Sequence, residues 1–119
     1  MLQDSAASKE NYDRFIERVS ARGEVFGLQF PDGGWAVCPS QAGKDVSVIV
    51  FWSDRAYAAR HVKEDWSLCA PVAISLEDFI DAWLKGMHED GSLVGPNWDT
   101  NLCGLEVTPA EVAKRLIEE

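Results

Sequence analysis

Residues 46–52 read Val46-Ser47-Val48-Ile49-Val50-Phe51-Trp52 and give the strongest strand signal in the chain. The segment begins with an apolar–polar alternation, but from Val48 onward every side chain is apolar. A strand covered on one face alternates, whereas a strand covered on both faces is apolar throughout. The sequence therefore predicts a central strand with other elements packed on both of its sides.

Upstream, the apolar pattern predicts an amphipathic helix. Ser8 is a candidate N-cap, and Gly23 is placed where a left-handed C-cap would end the helix. The apolar positions between them follow the spacing of one helix face and are Tyr12, Phe15, Ile16 and Val19. Residues 1–7 are predicted to be a frayed leader in front of a single domain that spans residues 8–119.

A hairpin is predicted after this helix. Residues 24–30 carry apolar side chains on one side of a strand, at Phe26, Leu28 and Phe30. The turn Pro31-Asp32-Gly33-Gly34 follows, because proline fixes φ and the glycines tolerate positive φ. Residues 35–38 are then expected to return antiparallel to the first strand.

Beyond the central strand, we expect Ser53 to cap a short helix over residues 54–62 and residues 71–74 to form a strand. Ser75 begins the clearest helix, and Gly91 ends it. Its apolar stripe consists of Leu76, Phe79, Ile80, Trp83, Leu84 and Met87.

The C-terminal part predicts short strands at residues 92–94 and 102–107, followed by a last helix. Thr108-Pro109-Ala110-Glu111 forms a capping box with proline in the first helical position. The apolar side chains of this helix are Val112, Leu116 and Ile117. Because helices and hairpin strands mix without a regular βαβ rhythm, the predicted fold is α+β, with one mainly antiparallel sheet and helices packed on it.

Composition limits the function. The 119 residues include 11 Lys and Arg against 20 Asp and Glu, a net charge of -9, which disfavours nucleic acids and anionic membranes as partners. Residues 1–60 hold seven basic and eight acidic side chains, whereas residues 61–119 hold four and twelve. The acidity of the C-terminal half is either a solvated surface that aids solubility or a face that attracts a basic partner.

Cysteine and histidine are too scattered for a recognisable metal or catalytic motif. The three cysteines cannot all pair, and no signal-peptide pattern precedes them, so a reduced, cytoplasmic protein is expected. Cys38 is the best-placed candidate nucleophile and would need His61 or His88 beside it, but cysteines in apolar segments are more often buried. His61 is expected to be a surface or helix-cap residue. No cofactor, metal ligand or catalytic pair is predicted, and the balance favours a protein that is not an enzyme.

Tryptophan is frequent, with five in the chain. Trp83 lies on the apolar stripe of its helix, whereas Trp35, Trp52 and Trp98 fall at strand ends or turns. An indole in such a position either covers the end of a core or lines a ligand groove or a protein interface. The candidate binding residues of this pattern are therefore Trp35, Trp52 and Trp98.

Several stretches resemble the bacterial family known as domain of unknown function 2750 (DUF2750), from about residue 10 to near the end. They include Gly27-Leu28, Gly34-Trp35-Ala36, Phe51-Trp52-Ser53, Ala56-Tyr57-Ala58, residues 71–76, residues 91–99 and Gly104-Leu105-Glu106-Val107. The resemblance implies no activity, substrate or cofactor, but it draws attention to the turn after Val94. Asn97 and Asp99 in this turn either act in binding or hydrogen-bond their own backbone.

Three hypotheses of function follow. The first is a small protein-binding module, in one form an immunity-type inhibitor of a basic partner. The second is a small-ligand-binding protein or enzyme with a cleft formed by Trp35, Trp52, Trp98 and Asp99. The third is a homodimer with a structural role.

Overall fold

The predicted central strand is β3 (Ser47–Phe51) in the computed structural model, which describes residues 5–41, 43, 45–102 and 104–118. β3 lies in the middle of a three-stranded sheet. β2 (Val37–Pro39) pairs with it antiparallel, and β5 (Leu93–Pro96) pairs with it in parallel. The prediction of a central strand is confirmed.

Both faces of β3 are covered by apolar side chains. Phe51 belongs to the first of two buried clusters, and Ile49 packs against it, whereas Val48, Val50 and the following Trp52 belong to the second. Successive side chains of a strand point to opposite faces, so an apolar segment in this position divides the interior into two cores. The first core also contains the predicted helix face, namely Tyr12, Phe15, Ile16 and Val19.

A second, two-stranded sheet corrects the prediction of one sheet. β1 (Glu24–Gln29) pairs antiparallel with β4 (Ala70–Ser75) over its whole length. Residues 35–38 were expected to pair with β1, but only Trp35 and Ala36 contact it, and the chain then leaves to pair with β3. The two sheets meet where Phe26 and Trp52 exchange backbone hydrogen bonds of 2.8 Å.

The first two helices differ in their bounds from the prediction. α1 (Ser5–Arg22) begins before Ser8, which is buried within the helix and is not its cap. Residues 1–4 of the expected leader lie outside the described residues. α2 (Arg55–Ala59) is shorter than predicted, and its N-cap is Asp54, because the backbone of Asp54 is still extended.

The long helix α3 covers residues 76–90 and consists of Leu76–Asp78, a π-helical segment Phe79–Leu84 and Lys85–Asp90. As predicted, Ser75 caps it by accepting a hydrogen bond from the Asp78 N–H, and Gly91 ends it with a φ of 76°. Backbone hydrogen bonds in a π-helix join residues that are five positions apart. Phe79 and Leu84 have this spacing, and both side chains are buried.

The last helix, α4 (Pro109–Glu118), starts after Thr108, whose hydroxyl accepts from the Glu111 N–H as the capping box predicts. Val112 and Leu116 are buried, whereas Ile117 is 69% exposed. The strand predicted at residues 102–107 is also absent from its described part, where a single bridge joins Val107 to Val94.

The architecture is α+β, as predicted, with an antiparallel sheet, a mixed sheet and helices packed on them. Among the residues that the structure describes, no helix is both long and apolar enough to cross a lipid bilayer.

Asp54 connects α1 to the start of α2. Its carboxylate accepts hydrogen bonds from Arg18 at 3.0 Å, from Arg22 at 2.8 Å and from the Ser53 hydroxyl at 2.6 Å. Burial by itself would raise the pKa of Asp54, but the bonds from Ser53, Arg22 and Arg18 outweigh it and hold the pKa below its usual range. The ionised form of Asp54 therefore stabilises the folded state.

Replacing Asp54 with Asn should lower the free energy of unfolding by about 1–2 kcal/mol at pH 7, because charge-assisted hydrogen bonds become neutral ones. A carboxyl whose pKa is lowered by folding stabilises the protein above its unfolded-state pKa, and this contribution disappears as the pH falls through the folded-state pKa. The difference in the free energy of unfolding between wild type and Asp54→Asn should therefore become smaller below about pH 4, and urea denaturation measures it.

Asp81→Asn is the matched control, since Asp81 is exposed and forms no salt bridge with a described residue. It should change stability little at any pH. If the free energies of unfolding of wild type and Asp54→Asn differ by the same amount from pH 7 to pH 3, this role of Asp54 is contradicted.

Candidate functional site

Asn97 occupies a buried position just after β5, with a left-handed backbone φ of 49°. Its side-chain oxygen accepts from the Ser53 N–H at 2.8 Å, and its amide nitrogen donates to the Ser53 hydroxyl at 3.0 Å and to the Asn11 carbonyl at 3.3 Å. The alternative in which Asn97 bonds only its own backbone is therefore wrong. This side chain connects β5 with α1 and with the segment between β3 and α2.

Trp52 and Trp98 are in contact beside Asn97. The fully buried indole of Trp52 donates its N–H to the Trp98 carbonyl at 3.1 Å, and the Trp98 indole donates to the Leu105 carbonyl at 2.8 Å. The Trp98 ring lies so close to Gly95 and Gly104 that a Cβ atom at either glycine would fall within 2.8 Å of it. Both indole N–H groups are satisfied inside the protein, so they are not directed at a ligand.

His61 lies against the same tryptophan and is only 2% exposed, so its predicted position on the surface or at a cap is wrong. Its ring centre is 4.7 Å from that of Trp52 and 6.5 Å from that of Trp66. The Nδ1 atom is 3.1 Å from the Tyr57 carbonyl oxygen, and the Nε2 atom is 2.8 Å from that of Asp99. Both ring nitrogens of His61 therefore face backbone carbonyl oxygens inside the protein.

Asp99 itself is exposed, and its carboxylate accepts from the backbone N–H of Asn101 at 2.9 Å. This is the local bonding that an Asx side chain in a turn commonly makes. Together with Asn97 and Trp98, Asp99 lines a small cavity of about 210 Å³. The opposite side of this cavity is formed by Asn11, Arg14, Tyr57 and Arg60.

Trp35 is separated from the other candidate residues. It packs against the first core, where its ring meets that of Trp83 edge to face at 4.7 Å and lies over Gly27. Trp52 and Trp98 belong to the second core. The structure therefore brings together Trp52, Asn97, Trp98 and Asp99, but the four residues of the hypothetical cleft, which include Trp35, do not converge.

A larger cavity of about 480 Å³ adjoins the Asp99 turn and is lined by both His61 and Cys38. The pair suggested as nucleophile and base thus lines one cavity. However, the His61 nitrogens face carbonyl oxygens, and burial, together with the charge of Glu106, raises the pKa of the Cys38 thiol. A protonated thiol is a poor nucleophile, so this arrangement favours binding over thiol catalysis. In the described part of the chain, no group of three or more His, Cys, Asp or Glu residues could hold a metal ion.

The model of a family described as a protein of unknown function, DUF2750, matches residues 12–116. The chain belongs to the DUF2750 family. No curated protein and no solved structure matches it. The family confirms the resemblance inferred from the sequence.

In this DUF2750 protein, three site residues were missed by sequence reasoning: Ser53 as the partner of Asn97, Trp66 as a cavity wall, and Gly104 beneath Trp98. His61 was considered but misplaced. A usable signal is its position three residues after Ala58 and four after Tyr57, because this spacing continues the inner side of α2 into the turn that follows it. The close approach of Gly104 to Trp98 has no local signal in the sequence.

Replacing Asn97 with Asp should destabilise the DUF2750 protein by about 1–3 kcal/mol, because a carboxylate would face the Asn11 carbonyl in place of a donor. Denaturation with urea at pH 7 measures this loss. Asn11→Asp makes the same chemical change where the side-chain oxygen accepts from Arg14 at 3.1 Å, so it should be neutral or slightly stabilising. Equal losses in the two variants would disprove the role given to Asn97.

Replacing Gly104 with Ala should cost about 2–4 kcal/mol, because the new methyl group would lie 2.2 Å from the Trp98 ring. Gly86→Ala is the control, since its Cβ meets nothing within 4 Å in a helix, and it should raise stability by up to about 1 kcal/mol. Thermal unfolding followed by circular dichroism would distinguish them. A Gly104→Ala variant as stable as wild type would show that Trp98 can move aside freely.

Proposed function

We propose that this DUF2750 protein is a small binding module whose partner is a basic protein. One observation carries the proposal. The four salt bridges between described residues use only the carboxylates of Asp13 and Asp54, both in the N-terminal half. The acidic side chains of residues 61–98 form no salt bridge with a described residue, and all of them are exposed. Their charge therefore remains available to a partner.

The acidic residues concentrate on α3. This helix carries five carboxylates, at Glu77, Asp78, Asp81, Glu89 and Asp90, against one lysine, Lys85. Clustered like charges create a surface potential that attracts opposite charge and raises the association rate. The acidic residues either only aid solubility or attract a basic partner. A surface that only aids solubility needs no apolar contact beside its charges, so the neighbouring surface distinguishes these two interpretations.

An apolar groove lies between α3 and α4, and its polar lining consists of Glu89, Lys85 and His88. It has a volume of about 340 Å³, and its apolar walls include Ile80, Leu84, Pro109, Ala113 and Ile117. The 69% exposure of Ile117 leaves a large apolar side chain in water at the end of the groove. Protein interfaces commonly combine such an apolar centre with a charged rim. The occupant that fits is an apolar side chain presented by a positively charged segment of the partner.

The small size and acidity of the chain favour one specific form of the proposal, in which the protein inhibits a basic partner as immunity proteins do. The free thiols of Cys38 and Cys69 support a reducing, cytoplasmic location for this interaction. A second copy of the chain is the alternative occupant of the groove, in which case the module would be a homodimer.

The proposal predicts that affinity capture from a cell lysate retains a protein with an isoelectric point above about 9, and that retention weakens as salt screens the charges. Two variants test the surface. The triple variant Glu77→Gln, Asp78→Asn, Asp81→Asn should reduce capture at low salt, and Ile117→Ser should reduce it at both low and high salt.

Leu68→Ser is the matched control for the groove, because Leu68 is a 73% exposed apolar residue outside it. Capture that is equal for wild type, Leu68→Ser and both surface variants would contradict the proposed interface. Sedimentation equilibrium of the purified protein decides the homodimer case: a dimer that Ile117→Ser dissociates would identify the second copy as the occupant.

A further inference from the structure

The 480 Å³ cavity has the size of a small-molecule site, since such pockets span about 300–1,000 Å³. It lies between β2, the 3₁₀ turn Glu64–Trp66 and the loop that follows Asp99. None of the residues that line this cavity also lines the α3–α4 groove. An inference about this cavity is therefore independent of the proposed protein partner.

Backbone strain is concentrated at the cavity. Three non-glycine residues in the described part of the chain have positive φ, and two of them, Glu64 at 51° and Leu102 at 56°, line it. A left-handed conformation costs an ordinary residue about 1–2 kcal/mol. Strain of this kind clusters at ligand sites, where the surrounding structure holds the backbone in position.

One part of the cavity wall is apolar and partly exposed, whereas the rest is polar. Trp66 forms one wall, and Val37 and Leu102 are 47% and 40% exposed at the mouth. These are two of the four large apolar side chains that the described residues leave exposed. An apolar body entering the cavity would remove them from water, which contributes roughly 25 cal/mol per Å² of apolar surface buried.

The charges at the cavity select the sign of a ligand. Glu64 and Asp65 line it, and neither forms a salt bridge with a described residue, while Lys63 is the one cationic side chain of Lys or Arg type in the lining. Together with the net charge of -9 on the chain, this excess of carboxylate attracts cations and repels anions. The face of an indole such as that of Trp66 also attracts a cation.

From these observations we infer that the cavity binds a small organic cation with an apolar body, such as an aralkyl amine. The ammonium group lies at the carboxylates of Glu64 and Asp65, and the apolar body lies against Trp66 between Val37 and Leu102. His61 and Cys38 contribute the inner surface, and no covalent step is involved.

Nuclear magnetic resonance titration tests this inference with three probes of similar size and different charge. These are 2-phenylethylamine, 2-phenylethanol and 3-phenylpropanoate. The amine should shift the indole N–H signal of Trp66, assigned with Trp66→Phe, and the backbone amide of Leu102. It should bind at least about threefold more tightly than the alcohol, and the propanoate should bind most weakly.

Paired variants separate a local site from a general attraction to the acidic protein. Glu64→Gln with Asp65→Asn removes the two carboxylates at the cavity and should weaken amine binding about three- to tenfold. Glu10→Gln with Glu17→Gln removes two exposed carboxylates from α1 and should leave it nearly unchanged. All four positions are exposed, so the variants should fold, and their amide spectra verify this.

Three results would overturn the inference: no shift at Trp66 or Leu102 with the amine, equal affinity for the amine and the propanoate, or equal weakening by the two variant pairs. Because no groove residue is altered, failure here would leave the proposed protein partner untouched. Failure of the capture experiment would likewise leave this site standing.

Discussion

The two-sided burial of β3 is the constraint on which the rest of the structure depends. Because its side chains are apolar on both faces, neither face can remain in water, and the chain must supply two separate cores. Phe51 anchors the core under α1 and α3, and Val50 anchors the core that contains the aromatic residues near α2. The backbone bridge between Phe26 and Trp52 then fixes the second sheet against the first.

A buried polar seam closes the edge where β3 ends. Asn97 links β5 to Ser53, and His61 links α2 to the Asp99 turn, so segments distant in sequence are held at one place. The same turn borders the strained loop that contains Leu102. Rigid support beside a strained, partly exposed loop is the arrangement that positions ligand contacts. The acidic helix α3 belongs to a different part of the surface, so one small fold can serve two separate interactions.

Features of the structure that depend on neighbouring residues could be predicted from the sequence, whereas features that depend on contacts between distant residues could not. β3, the apolar face of α1 and the caps of α3 and α4 were predictable, because periodicity and capping are encoded within a few residues. The parallel pairing of β3 with β5 was not, since a four-residue strand does not specify its partner. Among the candidate residues, Trp52 and Trp98 do meet, but the position of Trp35 in the other core depends on packing that pattern analysis does not contain. The exposure of Ile117 could not be predicted, because the apolar pattern of a helix does not show whether another element covers it.

The β3–β5 pairing also has a consequence for biosynthesis. The strand neighbours are separated by most of the middle of the chain, and at about 5–20 residues per second a ribosome needs a few seconds to make that stretch. During this interval one edge of β3 keeps its backbone N–H and C=O groups unpaired, next to its apolar side chains. A chaperone that binds the nascent chain, or release of the chain before Leu93 emerges, would therefore act on β3 while it is unpaired and prone to aggregate.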